Sequence, residues 1–282
     1  AQEYEFSQLA YDHELLYALG SMLGLSSRQD ILRLIQLVEQ AGLDAMSTGV
    51  VLAWATEAQE RGLISERDLG CRLKFGAVTG YIEAIKGLVD QRTEGYRVLA
   101  LGAEGAAKFY GGREFALTLG KNEVAGYHTG YANIVGQALG ARHSHLDNAG
   151  YSLDQEKEQL SAEKVADRLI LEEVERDVLT SLCICLFARK VYDFTVVEKA
   201  LGAIGIKTDS AQLYELGRRI YLTKRDIKSK WGFRADQVQI PRRFFQTPSL
   251  NGMLEQGHVD RIMDKYTERQ EMLAKGVFPM PI

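Results

Sequence analysis

Glu39-Gln40-Ala41-Gly42-Leu43-Asp44 places two carboxylates around a glycine turn, where an amphipathic helix stops, and Met46-Ser47-Thr48-Gly49 follows at once. A carboxylate held rigidly at a helix terminus can accept two parallel bonds from forked N–H donors, as it does from a guanidinium. Asp44 suits that task; the simpler use of an Asp there is to cap the next helix together with Ser47. Thr180-Ser181-Leu182-Cys183-Ile184-Cys185 repeats the spacing and ends in a thiol. A thiolate is a soft metal ligand. A cysteine among Leu182, Ile184, Leu186 and Phe187 serves equally as a small buried hydrophobe. On a helix, Cys183 and Cys185 would diverge by about 200° at 3.6 residues per turn, so the two do not easily meet one metal ion. His143-Ser144-His145 has a spacing found in metal sites, yet no third ligand stands in register for zinc.

Helices must position these groups. Ile31, Leu32, Leu34, Ile35, Leu37 and Val38 form one apolar face, with Ser26 or Ser27 as N-cap and Gly42 as the C-terminal stop. Similar patterns run through roughly 48–61, 76–90, 102–110, 161–189, 195–203, 209–230 and 258–273, while strand-like alternation is scarce. The fold class expected is all-α. The Gly-rich stretch from Gly111 to Gly150 lacks helical periodicity, and a domain boundary is placed near its start: 1–115 carrying the 39–44 motif, 116–282 carrying the 180–185 motif. The charge-rich helix from Glu156 to Arg176 reads as a solvated face, and Glu14 as a first-turn residue at the positive end of a helix.

With 282 residues, 46% of them hydrophobic and a net charge of −4, the chain can bury one large or two medium cores and offers no basic field for nucleic acid or an anionic membrane. The opening Ala1-Gln2-Glu3-Tyr4-Glu5 has neither a positive n-region nor an apolar h-region, and no apolar run nears the roughly 18 residues of a membrane span. A cytoplasmic protein is expected. Three cysteines, Cys71, Cys183 and Cys185, argue against a disulfide framework.

The two six-residue motifs resemble the pterin-contacting Asp-x-x-Gly-Leu-Asp and Asp-x-x-Gly-Leu-Cys of the tungsten-dependent aldehyde:ferredoxin oxidoreductases. His13-Glu14 through Tyr17-Ala18-Leu19-Gly20-Ser21 is similar to that family's Tyr-Glu-Thr-x-Tyr-Ala-Leu-Gly-Ser. Ser47-Thr48-Gly49 leading to Ala53-Trp54-Ala55-Thr56-Glu57 is similar to its Ser-Thr-Gly helix, and Gly217-Arg218-Arg219-Ile220 through Arg225, Trp231-Gly232, Arg234, Asp236 and Pro241-Arg242 follow its closing pattern. Ala141-Arg142-His143-Ser144-His145-Leu146 resembles its Arg-Gly-Ala-Cys-His-Leu.

The resemblance covers nearly the whole chain and implies the family's two intertwined helical domains, without the β domain that saddles the pterins. It implies a tungsten (or molybdenum) bis-molybdopterin contacted by Glu39, Asp44, Ser181, Leu182 and Ile184. Cys185 would be the last ligand of a [4Fe–4S] cluster, with Cys183 in a glycine's place and Cys71 structural. His145 would act as proton donor or acceptor beside the metal, sharing a proton with Glu14. Four replacements stand out: Glu39 and Thr180 for Asp, His13 for Tyr and Ser144 for Cys. His128 is a pocket-lining candidate. The activity implied is oxidation of an aldehyde to a carboxylic acid with electrons leaving to ferredoxin. A chain lacking its N-terminal pterin-binding domain or subunit is expected to be inactive alone; a homodimer is compatible. A thioester-reducing member acting on an aromatic thioester, and a cofactor-free helical interaction protein, are the alternatives.

Overall fold

The computed structural model describes residues 9–156 and 160–280; the opening residues 1–5, read above for a targeting signal, lie outside them. The chain divides into two units, Ala1–Gly126 with Pro241–Arg243, and Tyr127–Ile240 with Phe244–Ile282. Both are helical, as the periodicity requires.

In the first unit Asp12 caps α1 (His13–Ala18), and Ser27 accepts the Asp30 amide at 3.3 Å to start α2 (Arg28–Gln40). Asp44 opens α3 (Ala45–Glu60), followed by α4 (Glu66–Leu69), α5 (Val78–Asp90), α6 (Glu94–Leu99) and α7 (Gly102–Tyr110). The central helix is α3: Val50, Leu52, Trp54, Ala55 and Ala58 are buried on several of its sides, and α1, α2, α5 and α7 pack around it. Tyr81, Ile85, Tyr96 and Leu99 complete the core, each fully buried large side chain contributing roughly 1.5–3 kcal/mol. A short hairpin, β1 (Thr118–Leu119) against β2 (Asn122–Glu123), is antiparallel with Thr118 opposite Glu123. Glu123 accepts from Ser47 Oγ at 3.0 Å and from the Ala103 amide at 2.9 Å, which ties the hairpin to the starts of α3 and α7.

The second unit holds α8 (Tyr131–Leu139), α9 (Gly150–Leu153), α10 (Ala162–Ser181), α11 (Phe194–Ala203), α12 (Ser210–Lys230) and α13 (Gln256–Ala274). α10 packs against both α12 and α13, with Leu169, Ile170 and Val174 meeting a core that includes Tyr221, Ile262 and Tyr266. Gly217 permits the α10–α12 approach: a Cβ there would stand 2.4 Å from the Val174 carbonyl.

Two expectations need correction. The helix expected over 161–189 ends at Ser181, because Cys183 takes a left-handed backbone that no α-helix can continue through. The stretch 111–150, read as lacking helical periodicity, contains α8. Residues 132–139 are all buried, including Asn133 and Gln137, which hydrogen-bond to each other at 3.0 Å, so no charged, solvated face marks this helix.

Candidate functional site

The two six-residue motifs fold identically. At the end of α2 the Gly42 amide donates to the Glu39 carbonyl at 3.0 Å and the Leu43 amide to the Val38 carbonyl at 3.1 Å. At the end of α10 the Cys183 amide donates to the Thr180 carbonyl at 3.0 Å and the Ile184 amide to the Leu179 carbonyl at 3.0 Å. Both are Schellman caps, which satisfy the last helical carbonyls through a residue in the left-handed region. That residue is Gly42 (φ 67°) in one unit and Cys183 (φ 59°) in the other. The sixth position is then extended in each, Asp44 at φ −68°, ψ 122° and Cys185 at φ −63°, ψ 129°, and opens the next helical turn.

The side chains differ in what they do. Asp44 is exposed and its Oδ1 accepts the Ser47 amide at 2.7 Å, so the capping use of this residue is realised. Glu39 is exposed on the last turn of α2. Thr180 and Ser181 turn their hydroxyls back onto the Arg176 and Asp177 carbonyls at 2.7 and 2.6 Å. Leu182 is partly exposed, while Ile184 packs against the small core of Val178, Leu179, Phe194, Val197 and Leu213. Cys183 and Cys185 are both exposed free thiols, off the helix, so the helical divergence expected for them does not apply. Cys185, an exposed thiol on a fixed extended backbone, has what a cluster ligand needs. Among the described residues no group of three or more His, Cys, Asp or Glu side chains is arranged to hold a metal ion.

His145 lies in the loop between α8 and α9, buried, with its ring 4.8 Å from that of Tyr127 and 6.2 Å from that of Tyr151. Charged side chains from α10 and α12 grip the backbone of this loop. Arg176 Nη1 donates to the His145 and Leu146 carbonyls at 3.2 and 3.1 Å, and Lys228 Nζ donates to those of Leu139 and Gly140 at 3.1 and 2.7 Å. Carboxylates take the amides: Glu173 accepts from Ala141 at 3.0 Å, and Asp147 from Arg142 at 2.6 Å. Lys224 bridges Glu173 and Asp177 at 3.4 and 2.6 Å, and Tyr266 donates to Glu173 at 3.2 Å. Burial, with Asp147 nearby, raises the Glu173 carboxyl pKa, and burial raises that of Asp177. Burial pulls Lys228 down to about 8, and burial with the Lys228 charge pulls His143 down to about 4. The solvated face expected for Glu156 to Arg176 is thus corrected in its last turn, since Glu173 and Arg176 are buried; residues 157–159 lie outside the described residues. Their spacing, with Asp177 at i+4 from Glu173 amid apolar neighbours, was the available signal.

Glu14 stands in the first turn of α1, where its amide donates to the Asp12 carboxylate at 2.9 Å. It belongs to the first unit and His145 to the second. His128 engages the Thr247 carbonyl through Nε2 at 2.9 Å and packs beside Phe244, and Cys71 lies near Tyr96 OH at 3.4 Å.

The helical architecture gives the class, an all-α protein, and the comparisons give the family. The family described as aldehyde ferredoxin oxidoreductase, domains 2 and 3, matches residues 2–278, so the chain belongs to that family. The tungsten-containing aldehyde ferredoxin oxidoreductases of Thermococcus kodakarensis and Pyrococcus furiosus are each 27% identical over 274 residues, covering 90% of this chain and 44% of theirs. An aliphatic sulfonate oxidoreductase, WOR-like subunit, of Pyrococcus furiosus is 28% identical over 256 residues, covering 85% of this chain and 39% of its own. The chain therefore spans less than half the length of these relatives. The active-site complex BamBC of benzoyl coenzyme A reductase, solved with 1,5-dienoyl-CoA, shares the fold at a TM-score of 0.74 and 16% identity over 94% of this chain and 48% of its own.

Proposed function

We propose that this protein is the helical part of a tungsten (or molybdenum) oxidoreductase that converts aldehydes to carboxylic acids and passes the electrons to ferredoxin. The observation that supports the reading best is the repeated cap, which presents Asp44 in one unit and Cys185 in the other at the same extended backbone position. Asp44, with Glu39 at the start of its motif, would hold the edge of one pterin through charge-assisted bonds, and Ser181, Leu182 and Ile184 would line the other. Cys185 would give one thiolate to a [4Fe–4S] cluster completed by thiolates from outside this sequence. When bound, the metal supplies the two-electron chemistry. The chain's own share is orientation and protons: a ring nitrogen of His145 takes up and releases the proton, and the Glu14 carboxylate is a second candidate proton carrier.

The relatives' greater length supports a partner, an N-terminal pterin-binding domain or subunit, without which the 282 residues are inactive. The assembly would work in the cytoplasm; among the described residues no helix is long and apolar enough to cross a membrane. The test is co-expression of the chain with that N-terminal complement, followed by turnover of benzaldehyde with ferredoxin beside a benzoyl thioester with reduced ferredoxin. Aldehyde oxidation is the expected outcome. Thioester reduction without aldehyde oxidation, or an assembled protein free of tungsten, molybdenum and iron, overturns the reading.

A further inference from the structure

Within the second unit, a cavity of about 460 Å³ lies between α9, the second half of α10, the 189–194 segment and the start of α12. Leu153, Leu169, Leu179 and Phe194 give it apolar walls, and charged groups border it. Its four carboxylates are already engaged. Glu156 meets Arg168 at 2.8 Å, Glu172 meets Arg176 at 2.9 Å, Asp193 accepts the Val196 amide at 2.9 Å and Glu175 accepts the Tyr214 hydroxyl at 2.7 Å. Burial raises the Glu175 carboxyl pKa, which favours its neutral form.

The cations are less fully matched. Arg189 gives Nη1 to the Leu186 carbonyl at 2.7 Å and Nη2 to the Tyr151 hydroxyl at 3.3 Å, both neutral acceptors, and comes no nearer than 3.9 Å to Glu172. Lys190 has no carboxylate within 4.0 Å among the described residues. Arg176 is only 2% exposed, yet its Nη2 has no hydrogen-bond partner among them. That nitrogen is sealed from solvent, so Arg176 borders the cavity without offering it a free donor. A guanidinium edge pairs best with a planar carboxylate, and Arg189 meets none at hydrogen-bond distance among the described residues.

We propose that this cavity binds a small organic monocarboxylate, its carboxylate toward Arg189 and Lys190 and its apolar body against the leucines and Phe194. The volume lies in the range of small-molecule sites and admits an acid the size of benzoate. The cavity also adjoins the His145 loop: Arg176 holds the His145 carbonyl, and the Tyr151 ring beside His145 is gripped by Arg189. The acid formed by aldehyde oxidation has the required chemistry, and so does an acid unrelated to turnover. Only the link to turnover rests on the activity proposed above; the binding itself does not.

Titration calorimetry of the intact enzyme with benzoate and with benzamide, its neutral counterpart, tests the site. Benzoate is expected to bind at least about tenfold more tightly than benzamide, the size of one charge-assisted contact. Arg189→Gln should weaken benzoate about tenfold and leave benzamide unchanged, and the exposed-site variant Lys190→Gln, which does not threaten folding, should weaken benzoate about threefold. Equal affinity for the two probes, or benzoate affinity unchanged in both variants, overturns the proposal. Benzoate that competes with aldehyde identifies the product acid as occupant, and benzoate bound without inhibition identifies an independent acid; the site stands in either case. Since the titration needs no turnover, an enzyme that binds benzoate and oxidises no aldehyde refutes the functional reading alone.

Discussion

Cys183 occupies a backbone position that its counterpart Gly42 fills at no steric cost, and the difference is measurable. An L-residue in the left-handed region costs about 1–2 kcal/mol, whereas glycine costs about 0.4–1 kcal/mol through the greater freedom of the unfolded chain. Cys183 is exposed, so trimming it removes no core contact. Cys183→Gly should therefore stabilise the second unit by a net of about 0.5–1 kcal/mol. The reciprocal change tests the same arithmetic: nothing lies within 4 Å of a Cβ added at Gly42, so Gly42→Cys should destabilise the first unit by a similar amount through its backbone alone. Urea unfolding of wild type and both variants, followed by midpoint at constant slope, reads the two effects. Shifts of the same sign, or a loss of stability in Cys183→Gly, would refute the equivalence of the two caps.

In the assembled enzyme, His145→Ala should lower kcat by about 10²–10⁴-fold with metal and cluster contents normal, the usual size of an acid–base contribution. Glu14→Gln should remove one limb of the pH–rate profile; full activity in both single variants at normal loading refutes the assignment. For His143 the folded pKa is depressed from 6.5 to about 4, so its contribution to stability is present above pH 6.5 and lost as pH falls through about 4. His143→Asn keeps a residue tolerant of the left-handed backbone at φ 58° and should flatten that part of the acid unfolding curve; an unchanged curve contradicts the assigned burial.

Helices with one apolar stripe were legible in the sequence. The pattern over Ile31–Val38 places α2 with its Ser27 cap and Gly42 stop, since stripe, cap and stop are all local signals. α8 was not, because its polar residues Asn133 and Gln137 are buried with the rest and no charged residue marks a solvent face. The end of α10 was misjudged because the left-handed residue there is a cysteine, which carries none of the turn signal of glycine. The same limit applied to the site. Asp44, His145 and Cys185 stood out as residue types at suggestive spacings, while the buried Glu173 and Arg176 and the half-buried Lys228, which hold the His145 loop together with its own buried Asp147, resemble surface charge until the fold brings them together.

The most direct measurement on the central claim is the iron–sulfur electron paramagnetic resonance signal of the reduced, assembled enzyme in wild type, Cys185→Ala and Cys183→Ala, with iron counted in each. The account predicts that Cys185→Ala abolishes or destabilises the [4Fe–4S] signal, because it removes one of a set of thiolate ligands, and that Cys183→Ala leaves it largely unchanged. A full signal in Cys185→Ala, or its loss in Cys183→Ala alone, would contradict it.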